Sequence, residues 1–93
     1  MSLTRKEILA IAREDLADRL GVGEEEIEMI SFEEEDFPNT ALGALEEDEM
    51  AGEMITSGYR LIFGAEGDEY EYRADDEQIR LVNFDGSNFL IYE

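Results

Sequence analysis

Residues 55 to 74 read Ile55-Thr56-Ser57-Gly58-Tyr59-Arg60-Leu61-Ile62-Phe63, then Gly64-Ala65-Glu66-Gly67-Asp68, then Glu69-Tyr70-Glu71-Tyr72-Arg73-Ala74. Tyr59, Leu61 and Phe63 alternate with smaller or polar neighbours, and Tyr70, Tyr72 and Ala74 alternate with Glu69, Glu71 and Arg73. Side chains of a strand point to opposite faces in turn, so this period of two marks two half-buried strands, and the Gly-bearing segment between them makes a hairpin. Strands are expected over about 53–63 and 68–74.

Downstream, Gln78 to Phe84 reads as a strand through Ile79, Leu81, Val82 and Phe84; Asp85-Gly86-Ser87-Asn88 has turn composition, and Phe89 to Tyr92 is a last strand within 88–92. Upstream, 35–52 is irregular, with the only proline, Pro38, and a glycine, Gly43, to break regular structure, though Ala41 to Met50 has the composition for a helical turn. Before it, 26–34 reads as a strand with Ile27 and Met29 on one face and Ile30 and Phe32 on the other. That change of phase fits a β-bulge or a strand covered on both faces. The chain starts with a helix over 4–20. Thr4 and Glu7 form a capping box, Leu3 and Ile8 a hydrophobic staple, and Ile8, Ala12, Leu16 and Leu20 an apolar row that Leu9 and Ile11 widen. Gly21 suits the left-handed position at the helix end, with Val22 folding back. The order predicts one α+β domain over 1–93: an N-terminal helix packed on a mostly antiparallel five-stranded sheet, α-β-loop-β-β-β-β.

Composition narrows the chemistry. The 26 acidic residues stand against seven basic ones, a formal charge of -19. Such a chain disfavours direct contact with nucleic acid or an anionic membrane. The acidity has two readings, a solvated surface suited to a saline (halophilic) medium or a surface for a basic partner. There is no cysteine and no histidine, which removes disulfides, thiolate chemistry, sulfur-ligated metals and the usual general base. A domain of this size has little room for a deep cofactor site, so no cofactor and no enzymatic activity are expected. The start, Met1 to Lys6, runs into an amphipathic acid-bearing segment rather than an apolar leader, and a cytoplasmic location with no membrane span is expected.

Asp15-Leu16-Ala17 with Arg19-Leu20-Gly21-Val22, then Ile27-Glu28, Phe37-Pro38-Asn39-Thr40-Ala41-Leu42-Gly43, Thr56-Ser57-Gly58-Tyr59-Arg60-Leu61-Ile62 and Tyr70-Glu71-Tyr72-Arg73 follow in order. This series resembles a family of small, uncharacterised bacterial domains with a "DLAxRLGV" helix end, an aromatic-Pro-Asp-x-Ser-Leu-Gly-Cys loop and a "TPGYRIV" hairpin. The chain departs from the pattern at Ala44, where cysteine is frequent, at Ser57, which replaces proline, and at Arg73, which replaces histidine. The resemblance implies the fold and draws attention to the Phe37 to Gly43 loop beside Gly58-Tyr59-Arg60; it brings no catalytic residue.

Three functional readings follow. The first is a non-catalytic module for an unknown protein or small ligand, with Phe37, Asn39, Gly43, Gly58, Tyr59 and Arg60 as binding residues. The second is an acidic DNA mimic, a decoy for a basic partner. The third is weak divalent-cation binding by Glu46, Glu47, Asp48 and Glu49, which lack the spacing of an EF-hand loop and read otherwise as a solvated charge run. Arg60 and Arg73 are expected to pair with glutamates across the hairpin, and Tyr59, Tyr70, Tyr72 and Tyr92 to pack at the core edge with hydroxyls in water. The terminal strand is a sheet edge, so the chain is a monomer or an edge-strand homodimer.

Overall fold

The computed structural model describes residues 2–93. Helix α1 (Arg5–Leu20) is followed by a 3₁₀ turn (Glu24–Glu26) and strands β1 (Glu28–Phe37), β2 (Thr56–Ala65), β3 (Asp68–Ala74), β4 (Ile79–Phe84) and β5 (Ser87–Tyr92). The five strands form one antiparallel sheet in sequence order, β1-β2-β3-β4-β5, which is the expected α+β arrangement.

Local chemistry fixes the ends of α1. The Thr4 side chain accepts from Glu7 N–H at 3.2 Å and Glu7 returns a bond to Thr4 N–H at 3.0 Å, so the capping box forms. At the other end Gly21 takes φ 69°, and the N–H of Val22 reaches back to the Ala17 carbonyl at 3.1 Å. That bond satisfies a carbonyl the helix leaves open. Ile8, Ala12 and Leu16 are wholly buried against Leu61, Phe63, Tyr72, Ala74, Ile79 and Leu81. Phe63 and Tyr72 meet edge to face, with centroids 5.7 Å apart. Tyr72 departs from the expectation of a wet hydroxyl: its ring is fully buried, and its O–H donates to Asp15 on α1 at 2.7 Å. Burial, then that bond, push its phenol well above the ordinary value.

Several boundaries differ from the sequence reading. β1 starts at Glu28 rather than 26, because Glu24–Glu26 close a 3₁₀ turn, and it runs on to Phe37. The acidic run Glu33 to Asp36 therefore lies within a strand: each residue is paired with β2, and all four side chains are exposed. The irregular segment becomes 38–55 instead of 35–52, with turns at 40–43 and 47–48 and no helix. β2 begins at Thr56 and extends through Gly64 and Ala65 to a two-residue turn, Glu66-Gly67, with φ of 51° and 84°. Positive φ at both positions matches the right-handed twist of the flanking strands. The phase change in β1 is a bulge: the register with β2 shifts between Met29 and Ser31.

Candidate functional site

Antiparallel register places Glu33, Arg60, Arg73 and Arg80 opposite one another across β1, β2, β3 and β4. All four lie on the face turned away from α1, since their neighbours Phe32, Leu61, Tyr72 and Leu81 pack toward the helix. Three cations on adjacent strands repel one another unless carboxylates intervene. Glu71 does so: Arg60 Nε donates to it at 3.0 Å and Arg73 Nε at 2.7 Å. Burial raises the Glu71 carboxyl, but the two guanidinium bonds outweigh that and hold it below the usual range. Arg60 thus pairs across the hairpin as expected, whereas Arg73 pairs with a glutamate of its own strand, and both converge on one carboxylate.

Loop 38–55 lies over the other half of this face. Arg73 Nη1 donates to the Leu42 carbonyl at 2.9 Å, with its guanidinium 5.2 Å from the Phe37 ring centroid. Arg80 is only 4% exposed. It donates to the Ala44 carbonyl at 3.2 Å, to Gln78 Oε1 at 2.7 Å and through two nitrogens to Glu49, one of them at 2.7 Å. The hydrogen bonds from Arg80 lead in holding the Glu49 carboxyl below its ordinary value. Gln78 and Asn88 add bonds to the carbonyls of Thr40 and Leu45. Ala41, Leu42 and Ala44 of the loop are themselves buried.

The residues singled out from sequence take different places. Phe37 is 3% exposed and belongs to the interior. Asn39 shapes the loop: its Oδ1 accepts from the N–H of Ala41 and of Gly43, both at 3.0 Å. Gly43 has φ 67°, and a Cβ there would lie 2.8 Å from Arg73 Nη1. Gly58 is buried where a Cβ would fall 2.3 Å from the Ala74 carbonyl oxygen. Tyr59 and Arg60 point to opposite faces, Tyr59 beside Phe32 and under Arg5, whose guanidinium sits 5.1 Å from the ring centroid. The six residues therefore do not share one binding surface. Five have structural duties, and of the six only Gly58 and Tyr59 line a sizeable cleft.

That cleft, about 490 Å³ and open to solvent, is lined by Glu34, Glu35, Asp36, Asp75, Asp76 and Tyr59, together with Ser57 and Gly58. Several of its carboxylates already have partners. Arg5 donates to Glu34 at 2.7 Å, Ser57 to Asp36 at 2.8 Å, and Asp75 accepts from the N–H of Glu77 and Gln78.

The four loop acids do not converge on a cation position. Glu49 is bound to Arg80 and also accepts from Glu46 N–H at 2.9 Å, while Glu46 accepts from Leu90 N–H on β5 at 3.0 Å. Glu47 and Asp48 face solvent. Among the described residues no three carboxylates gather as metal ligands. The Glu46 bond also changes the view of the sheet edge, because one outward N–H of β5 is occupied by the chain's own loop.

Arg80 escaped the sequence reading. Its signal was present as the one charged residue in the run Ile79 to Phe84. The fully exposed Met50 was also passed over inside the acidic loop. Arg5, Arg19, Arg60, Arg73 and Arg80 are bound to four carboxylates of the same chain, Glu34, Asp15, Glu71 and Glu49, and most of the 26 acidic residues have no ion-pair partner among the described residues. Among the described residues no helix is long and apolar enough to cross a membrane.

No curated protein and no solved structure is significantly similar to the chain. A family model described as a domain of unknown function (DUF8738) matches residues 9–82, from α1 through most of β4. The chain belongs to this family of domains of unknown function.

Proposed function

We propose that this chain is a non-catalytic interaction domain that recognises a basic protein partner through its unmatched carboxylates. One observation carries the reading: 26 acidic residues stand against seven basic ones, and among the described residues only Asp15, Glu34, Glu49 and Glu71 are held in ion pairs, so most of the carboxylates have no cation beside them. A surface field of one sign draws an oppositely charged partner and raises its rate of association. Open, shallow clefts and the lack of histidine and cysteine support a binding role over catalysis.

A narrower form of the reading is a decoy for a nucleic-acid-binding protein. Glu33 to Asp36 supply four consecutive exposed carboxylates on an edge strand, alternating between its two faces. The test is fluorescence anisotropy with a labelled oligolysine, followed by competition against duplex DNA for a basic DNA-binding protein. Binding to oligolysine that weakens steeply as KCl rises is expected. No binding at about 0.05 M KCl, where screening is weak, overturns the reading. Failure to displace DNA removes the decoy form alone.

A further inference from the structure

Met50, Met54 and Ile55 are 95%, 64% and 74% exposed, the most exposed large apolar side chains among the described residues. They fall within six consecutive residues, a stretch that reaches about 18 Å at most even when fully extended. Their backbone is held. Thr40 N–H donates to the Gly52 carbonyl at 3.0 Å, Gly52 N–H to Thr40 Oγ1 at 2.8 Å, and Thr56 Oγ1 to the Met54 carbonyl at 3.0 Å. The loop therefore anchors its first half to the sheet through Arg73 and Arg80 and presents these side chains from its second half. Exposed apolar groups gathered in one place mark a surface that another molecule covers.

The surroundings select the occupant. Glu47, Asp48 and Glu53 are exposed around the patch, and no lysine or arginine occurs from residue 20 to residue 59. A second copy carrying the same charge of -19 is repelled, as is an anionic lipid surface. Methionine adapts its shape to varied apolar partners, and an amphipathic helix offers an apolar stripe flanked by charged positions. We infer that Met50, Met54 and Ile55 form the docking site for a basic amphipathic helix of a partner protein, its lysines or arginines meeting Glu47, Asp48 and Glu53. This rests on the basic-partner reading above and adds the place and form of contact.

The test uses two synthetic peptides of equal charge, one of leucine and lysine with leucines at helical spacing, the other with serine in place of leucine. The probes are titrated into the wild-type chain and into the triple variant Met50→Ser, Met54→Ser, Ile55→Ser. The exposure of these side chains should leave the variant folded, which its amide spectrum verifies. The leucine–lysine peptide should bind the wild type on the order of tenfold tighter than the serine–lysine peptide, and the triple variant should lose that advantage while keeping its serine–lysine affinity. Equal affinity of the two peptides for the wild type overturns the inference but leaves the basic-partner reading standing. No binding of either peptide overturns both. Self-association, or binding to phosphatidylcholine vesicles, that disappears in the triple variant assigns the patch to a second copy or to lipid and also overturns the inference.

Discussion

Across β2, β3 and β4, Leu61, Tyr72 and Leu81 face α1, while their chain neighbours Arg60, Arg73 and Arg80 face the opposite side. The helix face is closed by apolar side chains and one hydroxyl bond, Tyr72 to Asp15. The other face is closed over part of its area by loop 38–55, held through guanidinium groups to carbonyls and to Glu49. Burial of apolar area needs no particular partner, whereas a buried cation needs every one of its donors satisfied. One sheet thus carries a robust side and a side that depends on a few specific bonds.

The largest expected effect comes from attacking the robust side. Phe63→Ala leaves a cavity beside Tyr72 and α1 and should cost about 3–5 kcal/mol, lowering the urea midpoint of helix and loop signals together. If the loop signals survive the loss of the helix, the two covers are independent folding units and the comparison fails in that form. Next is Arg80→Met, which removes the donors to Ala44, Gln78 and Glu49 and should cost about 2–3 kcal/mol. Hydrogen exchange should then speed up in 38–55 before α1 is affected. Uniform acceleration in both would show that Arg80 supports the whole domain rather than the loop.

The smallest of these effects carries a pH signature. Glu71→Gln removes the anion between Arg60 and Arg73 and should cost roughly 1 kcal/mol at neutral pH, a modest figure because the site is partly open to solvent. The folded Glu71 carboxyl is held below its usual value, so its contribution is present above the unfolded value of about 4.3 and fades as pH falls through the lower folded value. The stability gap between wild type and Glu71→Gln, followed by urea unfolding, should narrow below about pH 4. A gap that stays constant down to acid pH would mean that Glu71 acts through packing rather than charge.

The helix face was legible because its signals are local. Thr4 and Glu7 cap α1, Gly21 ends it, and alternation from Tyr59 to Ala74 defines the hairpin; each is a pattern within a few residues. The bulge at Ile30 was readable from the phase of Ile27, Met29 and Phe32 for the same reason. The loop face was not. Glu35 and Asp36, placed by composition in the irregular segment, lie extended because β2 supplies backbone partners more than twenty positions away. Phe37 is a candidate binding residue in the sequence because it opens the loop that the family resemblance points to, yet β1 carries it into the interior beneath Arg73. Glu46 and Glu49 were read as solvated acids or metal ligands, and their true partners, Leu90 and Arg80, are separated from them by 44 and 31 positions. Composition cannot show which of many carboxylates will meet a distant cation.

The central claim is that the fold tolerates its unmatched acidity without a saline solvent, leaving those carboxylates for a partner. Amide correlation spectra across a KCl series from about 0.05 M to about 1 M, where screening is nearly complete, test it most directly. The account predicts dispersed signals at the lowest salt, those of 38–55 included. Dispersion that appears only near the top of the series would contradict it, and would make the acidity an adaptation to a saline solvent rather than a surface for a partner.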